Sequence, residues 1–283
     1  MRIQLAVSDS PVRGPALAVI GTWDPLLHAH RELFQELARK GTLAGLTPVV
    51  IILFPSPVRL LNPDPAICLE YTDLRARVAL VHECAAVKVL TIRMTTHDLD
   101  ASSRSFFDLI GTHIRLRELW LGANQSLGRC KQGSDAAIAA LARRRKISLR
   151  RLDACKGSRV GGMALRFLGQ GKLRDAIKCV GHAPIWRRPR SGVLRLNWPP
   201  GNYLAIPTIR PSLALVSAPS PISVKILSAI KGGTLEWPAR DVEWLSFLAG
   251  PADRPLAGIE QGPRGSRQSR ALEPGPLTAV MGV

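Results

Sequence analysis

Gly21, Asp24, His28 and His30 fall close together in a short stretch of the chain. An apolar run, Ala16-Leu17-Ala18-Val19-Ile20, precedes them, and Leu33, Phe34, Leu37 and Ala38 follow at helical spacing. The pattern predicts a buried strand that ends at glycine, a tight turn, and a helix that opens on the histidines. A helix N-terminus presents free N–H groups and the positive end of the helix dipole. A histidine placed there can donate to a phosphate as charge develops in a displacement. His28 and His30 do not share a helix face, because neighbours on a face lie three or four residues apart. Spacing alone leaves open which of the two carries that chemistry. His28 is the more exposed of the two, and a solvated first-turn histidine is the plain role for either. Asp24 either orients the turn, caps the helix or meets a ribose.

The rest of the chain must position this turn. Pro48 to Phe54, Val87 to Ile92, Glu118 to Gly122 and Ile147 to Leu152 read as further buried strands. Helices are predicted from the turn to about Lys40, stopped by Gly41, then over Thr72 to Cys84 and Ser105 to Gly111. Another is capped by Ser134 and runs to Arg145, and two short ones span Met163 to Gly169 and Leu173 to Val180. Alternating strands and helices predict an α/β fold, a doubly wound Rossmann-like parallel sheet. Its ligands bind at the carboxyl ends of the strands, where Gly21 and Gly122 both fall. After residue 185 the pattern changes. Trp186 to Arg190 reads as a linker. Short β pieces (Val193 to Leu196, Tyr203 to Ile206, Ser212 to Val216, Ser223 to Leu227) predict a small, incomplete β-domain. The expected organisation is a lead-in over 1–15, the α/β domain over 16–185, the β-domain over 186–248 and a disordered tail over 249–283.

Composition narrows the function. Hydrophobic residues make up 46% of the 283 and charged residues 21%, which excludes wholesale disorder. The net charge of +18 attracts polyanions such as nucleic acid, nucleotides or anionic lipid. Its longest basic block is only Arg143-Arg144-Arg145-Lys146, so an arginine-rich composition is the plainer account and a nucleic-acid partner is not favoured. The longest apolar run, Pro48 to Pro55, is far short of the roughly 20 residues of a spanning helix, so no membrane partner is expected. Asp9 and Pro11 break any signal-peptide pattern, and the expected location is cytoplasmic. The five cysteines are scattered without a C-x-x-C pair, which argues against both a metal site and a disulfide framework.

Gly21-Thr22-Trp23-Asp24 with His30 resembles the G-N-F-D-G-V-H-x-G-H signature of bacterial FAD synthetases, the adenylyltransferase halves of bifunctional riboflavin kinase/FMN adenylyltransferases. Four further segments are similar to that family in order. Pro55-Ser56-Pro57 resembles F-x-P-H-P, and Tyr71 to Arg75 resembles the L-T-x-x-x-E-K helix start. Leu121 to Gly133 resembles V-G-x-[DN]-F-x-F-G-x-x-[RK]-x-G, and Gly171 to Gly181 with Pro184 matches the spacing of a late helix. The resemblance implies a nucleotidylyltransferase fold, ATP and FMN as substrates, and magnesium. It implies His30 and Arg166 as catalytic groups, and Gly21, Trp23, Asp24, His28, Gly122, Asn124, Gly161 and Gly162 as nucleotide contacts.

The sequence also departs from the family. Leu27 stands at the first histidine of H-x-G-H, Ala29 at its glycine, Pro25 at an earlier glycine and Ser56 at the histidine of P-H-P. Gly161 to Arg166 stands where the family has S-S-T-R-I-R, so both serines and the threonine are missing. Arg166 meets the final arginine only if one helical residue is deleted before Gly171. Pro199 to Ala205 resembles part of the riboflavin kinase barrel, but the glycine-rich loop and G-x-P-T-A-N motif that should precede it are missing, so kinase activity is not expected. Two rival readings are a non-catalytic paralogue that binds nucleotide or flavin or acts as an interaction scaffold, and a basic RNA-associated protein.

Overall fold

The computed structural model describes residues 2–5, 12–61, 70–122, 125, 127, 135–153, 158–190, 193–196, 198–199, 201–208, 222–229, 232–236 and 244–253. In chain order the first part holds β1 (Arg2–Leu5), β2 (Pro15–Gly21), α1 (His28–Leu43), β3 (Thr47–Phe54), α2 (Pro57–Leu61) and α3 (Leu74–Cys84). It continues with β4 (Lys88–Arg93), α4 (Ser103–Gly111), β5 (Arg115–Gly122), α5 (Asp135–Arg144), β6 (Ser148–Leu152), α6 (Ser158–Gly169) and α7 (Leu173–Val180). The second part holds β7 (Ile185–Arg187), β8 (Val193–Leu196), β9 (Gly201–Thr208), β10 (Ile222–Ala229), β11 (Gly232–Glu236) and β12 (Trp244–Ala249).

The first sheet has the order β1-β4-β3-β2-β5-β6. All its pairings are parallel except the antiparallel β1–β4 edge. Counted from β2, the five parallel strands run 3-2-1-4-5, the Rossmann-like order expected from the sequence. The order reverses between β2 and β5, where Val19 lies beside Trp120 and both strands run on to a terminal glycine. The continuous apolar run of β2 is buried because helices cover both of its faces. Ala16, Ala18 and Ile20 pack with Phe106, Ile110 and Ile138 on one side. Leu17 and Val19 pack with Phe34, Leu37, Leu80 and Val81 on the other.

Several local readings change. Arg2–Leu5, within the segment read as a lead-in, is an edge strand with Ile3 beside Ile92. Gly41 does not stop α1, which runs on to Leu43. A Cβ on Gly41 would stand 2.9 Å from the Leu46 carbonyl oxygen, so this glycine permits close packing, and Gly45 (φ +64°) makes the turn. Helix α6 begins at Ser158, ahead of Met163. Ser134, the expected cap of α5, lies outside the described residues.

The second sheet is antiparallel, in the order β7-β12-β9-β10-β11-β8. Trp186 and Arg187, read as linker, form strand β7 against β12, because the Trp186 side chain belongs to a core with Trp198, Tyr203, Leu245 and Phe247. That core continues into Leu173, Ala176 and Val180 of α7 and into Tyr71. Asp73 joins the layers. One of its carboxylate oxygens caps α3 through the Ala76 N–H at 2.7 Å, and the other accepts the Arg187 N–H at 2.5 Å. Of the segment read as tail, residues 250–253 continue from β12, and the Asp253 carboxylate accepts from the N–H groups of Gly250 and Arg174. The Ser212 to Val216 piece and residues 254–283 lie outside the described residues. Among those described, no helix is long and apolar enough to cross a membrane.

Candidate functional site

The turn between β2 and α1 is organised by Trp23. Its indole N–H donates to the Ile51 carbonyl at 2.9 Å, and its ring meets His30 and Phe34 edge-on, with centroids 5.1 and 5.0 Å away. The ring lies directly on Gly21, where a Cβ would stand 2.7 Å from Trp23 Cε2. Trp23 is thus a core residue that wedges the first turn of α1 against the sheet edge. Gly21→Ala forces this buried ring to move. We expect it to cost about 1–3 kcal/mol in urea unfolding, as overpacking does. A loss below a few tenths would show that the ring can shift freely.

Asp24 is fully engaged. Its Oδ1 accepts from the Thr72 N–H at 3.0 Å and the Thr72 hydroxyl at 2.9 Å, and its Oδ2 accepts from the Tyr71 N–H at 2.9 Å. Arg77, buried at 1% exposure, pairs with Oδ2 at 3.1 Å. The same guanidinium donates to the carbonyls of Thr22 and Thr72, each at 2.9 Å. Asp24 therefore orients the turn by locking it to the start of α3. It does not cap α1, whose N-cap is Leu27.

His30 faces the turn and His28 does not. The His30 Nδ1 accepts the Leu27 N–H at 3.1 Å, which leaves the ring proton on Nε2. Burial lowers its pKa from 6.5 to about 4. At neutral pH His30 is thus an uncharged imidazole with one N–H to donate. His28 is exposed, and its Nε2 lies 3.5 Å from a Glu32 carboxylate oxygen one helical turn on. The N–H groups of His30 and Arg31 return to the Leu27 carbonyl, which leaves those of His28 and Ala29 without an intrahelical acceptor.

Helix α6 folds back onto this turn. A Cβ on Gly161 would stand 3.7 Å from Leu27 Cδ1 and 3.9 Å from Pro25 Cδ. Leu27 shares a core with Ala164 and Leu168. Two segments far apart in sequence thus meet at the end of β2. Gly161 and Gly162 are the fourth and fifth residues of α6. Gly162 borders open space, and Arg166, one helical turn later, is exposed.

The end of β5 is closed by residues that spacing did not reveal. The Gly122 N–H donates to Gln125 Oε1 at 3.2 Å, and its carbonyl accepts from the Gln125 N–H and from Arg151, each at 3.0 Å. Asn124 lies outside the described residues. His182 was equally hidden. It is buried beneath the turn, with Nε2 3.2 Å from the Leu26 carbonyl and Nδ1 2.8 Å from that of Ala183, while the Tyr71 hydroxyl donates to the His182 carbonyl. Only the proximity of Tyr71 to a recognised helix start hinted at this network.

The family model described as FAD synthetase matches residues 10–160, more than half of the chain. The chain belongs to the FAD synthetase family. No curated protein matches it. A solved structure titled as a macrolide-efflux protein from Streptococcus pneumoniae is similar over 87% of this chain and 89% of that one, with TM-score 0.58 and 13% identity. At that identity the likeness speaks for the fold alone. Within this FAD synthetase-family chain, no three His, Cys, Asp or Glu among the described residues stand close enough to hold a metal ion.

Proposed function

We propose that this protein is a FAD synthetase-like adenylyltransferase of much reduced rate. FMN phosphate attacks the α-phosphorus of ATP, the bond to the β-phosphate oxygen breaks, and FAD and pyrophosphate result. The observation that carries the reading is His30, held neutral by burial with its donor fixed on Nε2, in the first turn of the helix after β2. In this reading the Nε2–H and the N–H groups of His28 and Ala29 meet the phosphates, and position and charge stabilisation do the work. Loss of one such donor typically costs about 10²–10³ in rate. Several family donors are missing, and losses within one site do not add.

A second reading, a paralogue that binds nucleotide or flavin without turnover, is favoured by the outward course of His28 and the helical state of Gly161 and Gly162. One experiment separates the two. The protein is incubated with FMN, ATP and magnesium, and FAD is followed by chromatography. FAD that scales with protein and disappears in His30→Ala supports the first reading. FAD unchanged in that variant removes His30 from the site. No FAD, with ATP or FMN binding by calorimetry, establishes the second.

A further inference from the structure

We propose that the corner of the sheet opposite the candidate site binds the phosphate backbone of double-stranded nucleic acid without reading its bases. The amino-terminal ends of β5 and β6 and the carboxyl end of α5 meet there. Ser148, which starts β6, lies beside Glu118 of β5, two residues from Lys146 and one from Arg117 respectively. An ion pair between Arg145 and Asp108 ties the end of α5 to α4, which leads into β5. Arg115, Arg117, Arg143, Arg144, Lys146 and Arg150 are all exposed; the first five belong to the start of β5 and the end of α5, and Arg150 lies on the α1 face of β6, over Trp120.

Their charge exceeds that of the acids around them, of which Glu36 and Glu118 also feel Arg150. The neighbouring acids are already taken: Asp108 by Arg145, Glu118 by Lys40 at 2.5 Å, and Glu36 by Arg39 at 2.7 Å. None of the six basic side chains forms an ion pair among the described residues. One of them is held in place: Arg150 lies over the Trp120 ring with its Cζ 4.8 Å from the centroid. Like charges held together on a folded edge, in excess over the acids beside them, raise the local potential above what net charge alone gives.

The chemistry of the face selects the partner. Trp120 is fully buried, so the corner offers no ring on which unpaired bases stack. The apolar residues beside the charges, Leu116, Leu119 and Ile147, are buried too, and Leu43 at the end of α1 is a single exposed apolar side chain on this edge, not a face that inserts into a bilayer. What remains is a cluster of guanidinium and ammonium groups suited to regularly spaced phosphates.

The test titrates the full chain against a fluorescein-labelled 20-bp DNA duplex of arbitrary sequence and follows anisotropy across KCl concentrations. Binding should weaken steeply with salt, with a log–log slope of about −4 for four or five phosphate contacts. The variant Arg143→Gln/Arg144→Gln/Lys146→Asn should lose at least tenfold in affinity at about 100 mM KCl, and its slope should flatten by about 2.7. Arg115→Gln/Arg117→Gln on the adjoining strand should weaken binding similarly, and this keeps the test open if one variant misfolds. The charge-matched control Arg93→Gln/Lys172→Gln/Arg190→Gln, built on exposed residues elsewhere, should bind within twofold of the parent. Equal losses in the corner and control variants would show only the pull of net charge and overturn the proposal. So would the absence of salt-dependent binding. Corner-dependent binding to phosphatidylglycerol vesicles but not to the duplex would assign the face to membranes instead. His30→Ala should leave duplex binding unchanged, so this result is independent of the adenylyltransferase reading.

Discussion

Asp24→Ala should destabilise the protein by about 3–5 kcal/mol, the usual result of stripping a buried ion pair of one partner. The carboxylate is the only acid paired with Arg77 among the described residues, and it also accepts three hydrogen bonds from Tyr71 and Thr72. Without it the Arg77 guanidinium stays buried with an unbalanced charge, and two backbone N–H groups at the start of α3 lose their acceptor. Asp24→Asn should fall between the parent and the alanine variant, because an amide oxygen still accepts but does not neutralise Arg77. Urea unfolding at neutral pH measures both. A loss below about 1 kcal/mol for the alanine variant would mean that Asp24 is not the clasp of the turn, which would free it for ligand contact. Because the turn carries His30, the same variant should also disturb any nucleotide binding.

Acidification should weaken the fold through His30 over the window from pH 6.5 down to pH 4. The folded pKa is depressed to about 4 from an unfolded value of 6.5, with burial as the cause. Above pH 6.5 both states are neutral and the stabilisation is fully present. As pH falls through the window, the unfolded chain takes up a proton that the folded site refuses, and stability is lost until the folded imidazole also protonates. A shift of this size corresponds to about 3 kcal/mol at most. His182 is pushed in the same direction by burial, with Arg31 adding to the effect and Asp24 opposing it, so the parent curve contains both histidines. The variant His30→Gln isolates the first. Its side-chain oxygen can take over the Leu27 N–H as in a capping box, and it does not titrate. The variant should therefore gain on the parent by up to about 3 kcal/mol between pH 7 and pH 4. Parallel curves would show that His30 is solvated.

The one-dimensional pattern settled a good deal about this chain. Unbroken apolar runs such as Ala16–Ile20 and Pro48–Phe54 can only be buried on both faces. With helices between them they dictate parallel crossovers, so the Rossmann-like sheet and its glycine-terminated strands were legible. Five colinear motifs gave the family for the same reason: order along a chain is itself sequence information. The helix face that separates His28 from His30 was legible as well, because it depends only on 3.6 residues per turn.

Side-chain partnership across the fold was not legible. Asp24 reads equally as cap, turn or ribose contact until Arg77 and Thr72, far along the chain, arrive beside it. Nothing in the spacing says that the Trp23 ring lies on Gly21 and against His30. Gly161 and Gly162 stand ahead of the helix predicted from Met163 until α6 is seen to start at Ser158. The edge strand Arg2–Leu5 and strand β7 depend on pairing partners supplied by β4 and β12. Local propensity and periodicity act over a few residues and determine which elements form. Burial, desolvation and charge pairing act between residues that only chain folding brings together, and they decide which polar groups are clasped and which are left to meet a ligand.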